Sequence, residues 1–155
     1  MKVLVVVDMQ NDFIDGALGT PAARAVVDNV VKKISEFDGD AIYLTKDTHK
    51  RNYLETQEGK LLPVEHCIEE TAGWRIHDAV ATAVSHAAID AHKSVSVFQK
   101  DTFGSVGLGE FLDALSQRQR IDEVIVIGLC TDICVISNAF SWYLSTFQRK
   151  FVPGD

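Results

Sequence analysis

The chain has 155 residues, 46% of them apolar and 24% charged, with a formal net charge of -7. That length predicts one domain with a core of its own, and the acidic balance argues against a nucleic-acid partner. No apolar run reaches membrane-spanning length, the N-terminus lacks a secretory signal pattern, and three cysteines point to thiols in a reducing cytoplasm rather than a disulfide framework.

Lys2 to Val7 is almost entirely branched apolar, as in a central parallel strand. It ends at Asp8, and the polar stretch through Gly16 reads as a loop at the strand's carboxyl end, where open parallel sheets hold their ligands. Thr20-Pro21 makes a cap and first-turn pair. Val26, Val27, Val30, Val31 and Ile34 then carry helical spacing from about Pro21 to Phe37. Ala41 to Thr45 is a second buried strand. The polar segment Asp47 to Gly73 is long for a compact domain, and such loops are usually functional. An amphipathic helix is expected from Trp74 to about Ala88, a third strand from Ser94 to Gln99 ending at Lys100, and a short helix from Leu108 to Gln117. Val124 to Ile127 is the fourth strand. Gly128 breaks it, Thr131 and Asp132 are candidate N-caps, and the last helix runs from Asp132 to about Phe147. This alternation predicts an α/β fold: a doubly wound, mainly parallel sheet with helices on both faces.

Asp8, Lys100 and Cys134 all fall at or just past carboxyl ends of strands. Singly, each has an ordinary explanation: a strand-end cap, a solvated charge, a small buried hydrophobe. Together on one sheet edge they make a reactive set. A carboxylate can take a thiol's proton and later return it to a leaving group. An ammonium beside them favours the thiolate and compensates the carboxylate, and the start of a helix lowers a thiol's pKa. Backbone amides of Cys134 and of the Gly128–Cys130 turn could hold an oxyanion. The implied reaction is acyl transfer from a small amide to Cys134, then hydrolysis of the thioester.

A second cluster, Asp47, His49, Glu58 and His66, suits a divalent ion with mixed nitrogen and oxygen ligands, with Glu55 competing for the place of Glu58. Such an ion could polarise the substrate or activate water. Cys67 reads as buried rather than ligating. Phe13 and Phe103 are candidate pocket walls, whereas His77, His86 and His92 read as surface residues.

The segments V-V-V-D-M-Q-N-D-F, Q-K-D-T-F-G-S and G-L-C-T-D-I-C-V, in this order, resemble the isochorismatase-like cysteine hydrolases, and nicotinamidases above all. The likeness runs from about Val3 to about Phe140. It implies an Asp–Lys–Cys triad at Asp8, Lys100 and Cys134, a cis peptide bond before Cys130, and an oxyanion hole from the amides of Cys130 and Cys134. K-D-T-H and P-V-E-H-C resemble the nicotinamidase metal loop, which makes Asp47, His49 and His66 ligands with Glu58 in the fourth place. The implied metal is zinc, with iron or manganese as alternatives.

Nicotinamidases commonly carry a Trp just before the Pro of the P-x-x-H segment, stacked on the pyridine ring; here Leu62 precedes Pro63. That departure bears on the substrate rather than on amidase chemistry. Family members also continue past the nucleophile helix with further strand–helix units, so residues 1–155 read as one isochorismatase-like hydrolase domain lacking them. If those units are lost, one side of the sheet is a raw edge, for which low stability or a covering partner chain is expected; a homo-oligomer is the expected assembly. The expected activity is deamidation of nicotinamide to nicotinate and ammonia through a Cys acyl-enzyme. The alternatives are another small amide or N-carbamoyl substrate, or an inactive relative.

Overall fold

The computed structural model describes residues 1–140. The end of the expected last helix and the atypical stretch 141–155 lie outside them. Strand β1 spans Lys2–Val7, β2 Ala41–Asp47, β3 Ser94–Lys100 and β4 Glu123–Gly128; among the described residues they form one sheet in the order β3-β2-β1-β4. Every pairing is parallel. The longer helices are α2 (Pro21–Glu36), α4 (Asp78–Ile89) and α5 (Val106–Arg118), with one-turn α1 (Asn11–Ile14) and α3 (Gln57–Leu61) between strands.

The apolar run of β1 is central because both of its faces are covered. Leu4 and Val6 pack beneath α2 and α4, against Val27, Val30, Ile34, Val80 and Val84. Val3, Val5 and Val7 face the other way, with Leu108 and Leu112 of α5 and with Cys134. Residues 3 to 7 are each at most 2% exposed. Burying a Val or Leu side chain stabilises by about 1.5–3 kcal/mol, so this strand holds both layers together. Helix starts follow their caps: Thr20 Oγ1 accepts from Ala23 N at 3.0 Å, and Ser105 Oγ accepts from Leu108 N at 3.1 Å.

Four local expectations are corrected. The loop after β1 contains α1, and the segment from residue 47 to 73 contains a 3-10 turn at Tyr53–Glu55 and then α3, capped by Thr56. The helix expected from Trp74 begins only at Asp78. The backbone before it is used otherwise: Gln10 and Ile76 form an antiparallel bridge, Asn11 N donates to Arg75 O, and His77 N donates to Met9 O. Finally, β4 is followed not by an ordinary helix start but by a π-helical turn at Thr131–Val135, preceded by Cys130, which supplies no side-chain cap. Residues 136–140 continue as α-helix.

The chain adds strands on one side of β1 (β2, then β3) and then crosses to the other side for β4. The carboxyl ends of β1 and β4 therefore flank the point where the winding reverses, which in such sheets opens a crevice. Gly128 ends β4 opposite Val7 with φ +125, and a Cβ there would lie 2.1 Å from the Val7 carbonyl oxygen.

Candidate active site

Asp8 leaves β1 with a positive φ of 49° and is fully buried. Its Oδ1 accepts from the Thr45 hydroxyl at 2.7 Å, and its Oδ2 lies 2.8 Å from Lys100 Nζ. Lys100 ends β3, two strands away from β1. Its side chain reaches across the end of β2, passing Asp47 Oδ1 at 3.2 Å, and comes within 3.9 Å of Cys134 Sγ. Cys134 is 6% exposed. Three residues far apart in sequence thus meet at one sheet edge. The Leu129–Cys130 peptide bond is cis, as the family resemblance implies.

The electrostatics of this group are governed by the burial of all three side chains. Burial raises the pKa of Asp8 despite the pull of Lys100. Burial also opposes the charge on Lys100, but Asp8 and Asp47 outweigh it and hold the ammonium protonated. For Cys134 the sequence-based expectation of a lowered pKa is corrected. Burial pushes the thiol well up, the Asp8 carboxylate pushes it further, and Lys100 only partly offsets them. Burial thus works against the charged form of both the acid and the thiol.

Next to this group lies the second cluster. Asp47, His49 and His66, all buried, each point one donor atom so that the three atoms lie within 4.8 Å of one another. Asp47 Oδ2 is 3.0 Å from His49 Nε2 and 3.5 Å from His66 Nε2. His66 Nδ1 donates to the Val64 carbonyl at 2.8 Å, which turns Nε2 to the cluster. His49 Nε2 is enclosed and, although Asp47 Oδ2 is close, makes no hydrogen bond of good geometry, which suits an atom that takes an ion as its partner. Two imidazoles and a carboxylate are a donor set for zinc, iron or manganese, so these residues fit a divalent metal. Glu58 stands further out: its Oε1 is 3.7 Å from His49 Nε2 and 3.9 Å from His66 Nε2. Glu55 is exposed. Cys67 is fully buried and its thiol pKa is raised, again mainly by burial.

The candidate pocket residues divide. Phe13 is 7% exposed and belongs to the core beneath α2, with its ring 5.5 Å from that of His66, so it backs the metal cluster from inside. Leu62 and Phe103 are exposed at 38% and 47%. His86 and His92 are exposed, as expected, but His77 is half-buried with its Nδ1 enclosed.

Several neighbours escaped the sequence reading. Gln10 is fully buried; its Nε2 donates to Asp47 O and Trp74 O, and its Oε1 accepts from Asp47 N, which fixes the backbone of Asp47. Tyr53 packs its ring 4.6 Å from His49 and 5.0 Å from His66, and its hydroxyl donates to Leu62 O. Asn138 bonds to three backbone groups around Cys134 and Ser105. An amide or phenol in a polar stretch gives no local signal; only the strand-end position of Thr45 could have been found from pattern.

An isochorismatase domain profile matches residues 2–148. The nicotinamidase/pyrazinamidase of Mycobacterium tuberculosis is 31% identical over 90% of this chain and 77% of its own length. The crystal structure of the nicotinamidase/pyrazinamidase from Bacillus subtilis superposes with a TM-score of 0.74 at 30% identity, covering 92% of this chain and 79% of that one. The crystal structure of N-carbamoylsarcosine amidase from Thermoplasma acidophilum superposes with a TM-score of 0.66 at 26% identity, covering 93% of this chain and 77% of that one.

Proposed function

The chain belongs to the isochorismatase family, and on that premise we propose that it is a metal-assisted cysteine amidohydrolase that converts a small carboxamide of the nicotinamide type to its acid and ammonia. The observation that carries this reading is the meeting of Asp8, Lys100 and Cys134, with 2.8 Å between acid and amine and 3.9 Å between amine and sulfur. Relatives described as nicotinamidases support the substrate class.

In this mechanism Asp8 accepts the Cys134 proton as Sγ attacks the amide carbon. The amides of Cys130 and Cys134 receive the developing oxyanion. Asp8 then gives the proton to the departing nitrogen, ammonia leaves, and a thioester remains. Water deprotonated by Asp8 hydrolyses it and frees the thiol. Lys100 keeps Asp8 in place and balances its charge whenever the carboxylate is ionised. Asp47, His49 and His66, with Glu58 at the rim, would hold a divalent ion whose chemistry is Lewis-acid polarisation of a substrate ring nitrogen or carbonyl.

Ammonia release from nicotinamide by the purified chain, absent in Cys134→Ala, is the expected result. No turnover across a panel of small aromatic carboxamides would overturn the reading. Leu62, in the place where nicotinamidases commonly carry Trp, favours one second reading: the same machinery acting on an N-carbamoyl or non-aromatic amide. The two separate by comparing nicotinamide with an N-carbamoyl amino acid as substrates.

A further inference from the structure

The loop that follows Lys100, the last residue of β3, carries Phe103, whose ring is 47% exposed. Exposure alone would leave that ring with no defined position. One side chain from the segment after β4, the opposite edge strand, ties the loop down. Asn138, 4% exposed, accepts from Ser105 N through Oδ1 at 3.0 Å. Its Nδ2 donates to the Phe103 carbonyl at 3.3 Å and to the Cys134 carbonyl at 2.8 Å. Ser105 is itself buried at 2% exposure and caps α5 through its hydroxyl. Asn138 therefore joins two things: the turn that bears the sulfur and the loop that bears Phe103.

We propose that Asn138 is a positioning residue that sets the distance between the Phe103 ring and the Cys134 nucleophile, and so determines how well an aromatic amide is held for attack. This rests on the hydrolase reading above. An amide side chain suits the task because it offers one acceptor and two donors in a plane, matching one backbone N–H and two carbonyls. The Ser105 and Cys134 ends of the link are buried and the Phe103 end is part-buried, so removing the amide takes a partner from each and loosens the loop. Asn138 touches no reacting atom, and the triad and metal ligands keep their own partners without it.

The test is a double-mutant cycle between Asn138→Ala and Phe103→Ala, read on nicotinamide and on a small aliphatic amide. Asn138→Ala is expected to lower kcat/KM for nicotinamide by about tenfold, mostly through KM, with a much smaller change for the aliphatic amide. Once Phe103 is already Ala, the same substitution is expected to have little further effect on nicotinamide. Asn138→Asp is a second variant of the same shape. It keeps the acceptor for Ser105 N but turns oxygen toward the two carbonyls, and the same substrate-selective loss is expected. Equal losses on both amides, or additive effects in the cycle, would show a merely structural residue and overturn the proposal. If the unaltered chain hydrolyses neither amide, the hydrolase reading fails and the positioning role falls with it.

Discussion

The carboxylate of Asp47 gives Oδ1 to the Lys100 ammonium at a distance of 3.2 Å. Its other oxygen faces the imidazoles of His49 and His66. One side chain is thus shared between the amine beside Asp8 and Cys134 and the candidate metal cluster, so a change at either centre is expected to reach the other.

Asp47→Asn is therefore expected to damage both. The ratio of bound metal to protein should fall from about one to a small fraction, and kcat/KM should fall by at least about a hundredfold. Elemental analysis and ammonia release measure the two. Full metal occupancy in this variant would contradict the assignment of Asp47 as a ligand.

Cys134→Ala should lower turnover by roughly four orders of magnitude or more, with thermal stability and metal content close to the parent. Acid quenching of the parent during turnover should trap a covalent adduct, seen by mass spectrometry as the acyl group on the peptide containing Cys134. An active alanine variant would remove the nucleophile from the mechanism.

The thiol supplies a pH prediction whose sign is set by its neighbours. Burial and Asp8 hold its pKa above the ordinary value of 9.0, and Lys100 acts in the opposite direction. Below that raised pKa the thiol is neutral, so alkylation by iodoacetamide should be slow at pH 8 and climb only at strongly alkaline pH. Asp8→Asn removes a charge that raises the pKa and leaves Lys100, so alkylation at pH 8 should quicken, by about threefold or more. Turnover should meanwhile collapse, because the proton acceptor is gone. Unchanged or slower alkylation in Asp8→Asn would show that the carboxylate does not face the sulfur.

Gly128→Ala should be among the most damaging single substitutions. The new Cβ would meet Val7 O at 2.1 Å and Val7 N at 2.7 Å, both backbone atoms of the central strand, at a φ of +125. A destabilisation of about 3 kcal/mol or more is expected, measured by urea unfolding. Wild-type stability in this variant would mean that the ends of β1 and β4 are not packed this closely.

Much of the frame was legible because hydrophobic pattern reports it directly. The run at Lys2–Val7 could only be a strand covered on both faces, and Thr20-Pro21 announced α2. The start of α4 was not legible, since residues 74 to 77 carry helix-compatible side chains but bond their backbones to the loop at Met9–Asn11. The convergence of Asp8, Lys100 and Cys134, and of Asp47 with His49 and His66, could be read from strand ends and an Asp-x-His spacing. The direction of the Cys134 shift could not, because it depends on how completely the folded chain excludes water and on which neighbour lies nearer. Gln10 and Asn138 stayed silent for a related reason: an amide reveals its partners only when distant backbone groups come to it.

Lys100 bridges the sheet's carboxyl edge from its own strand past β2 to Asp8 at the end of β1, while the sulfur arrives from beyond β4. Every strand of the described sheet delivers one member of this ensemble, and none can be substituted by a local contact. During refolding, then, catalytic competence should trail the recovery of circular dichroism. An intermediate with a single undocked strand would already show most of the helical signal and release no ammonia.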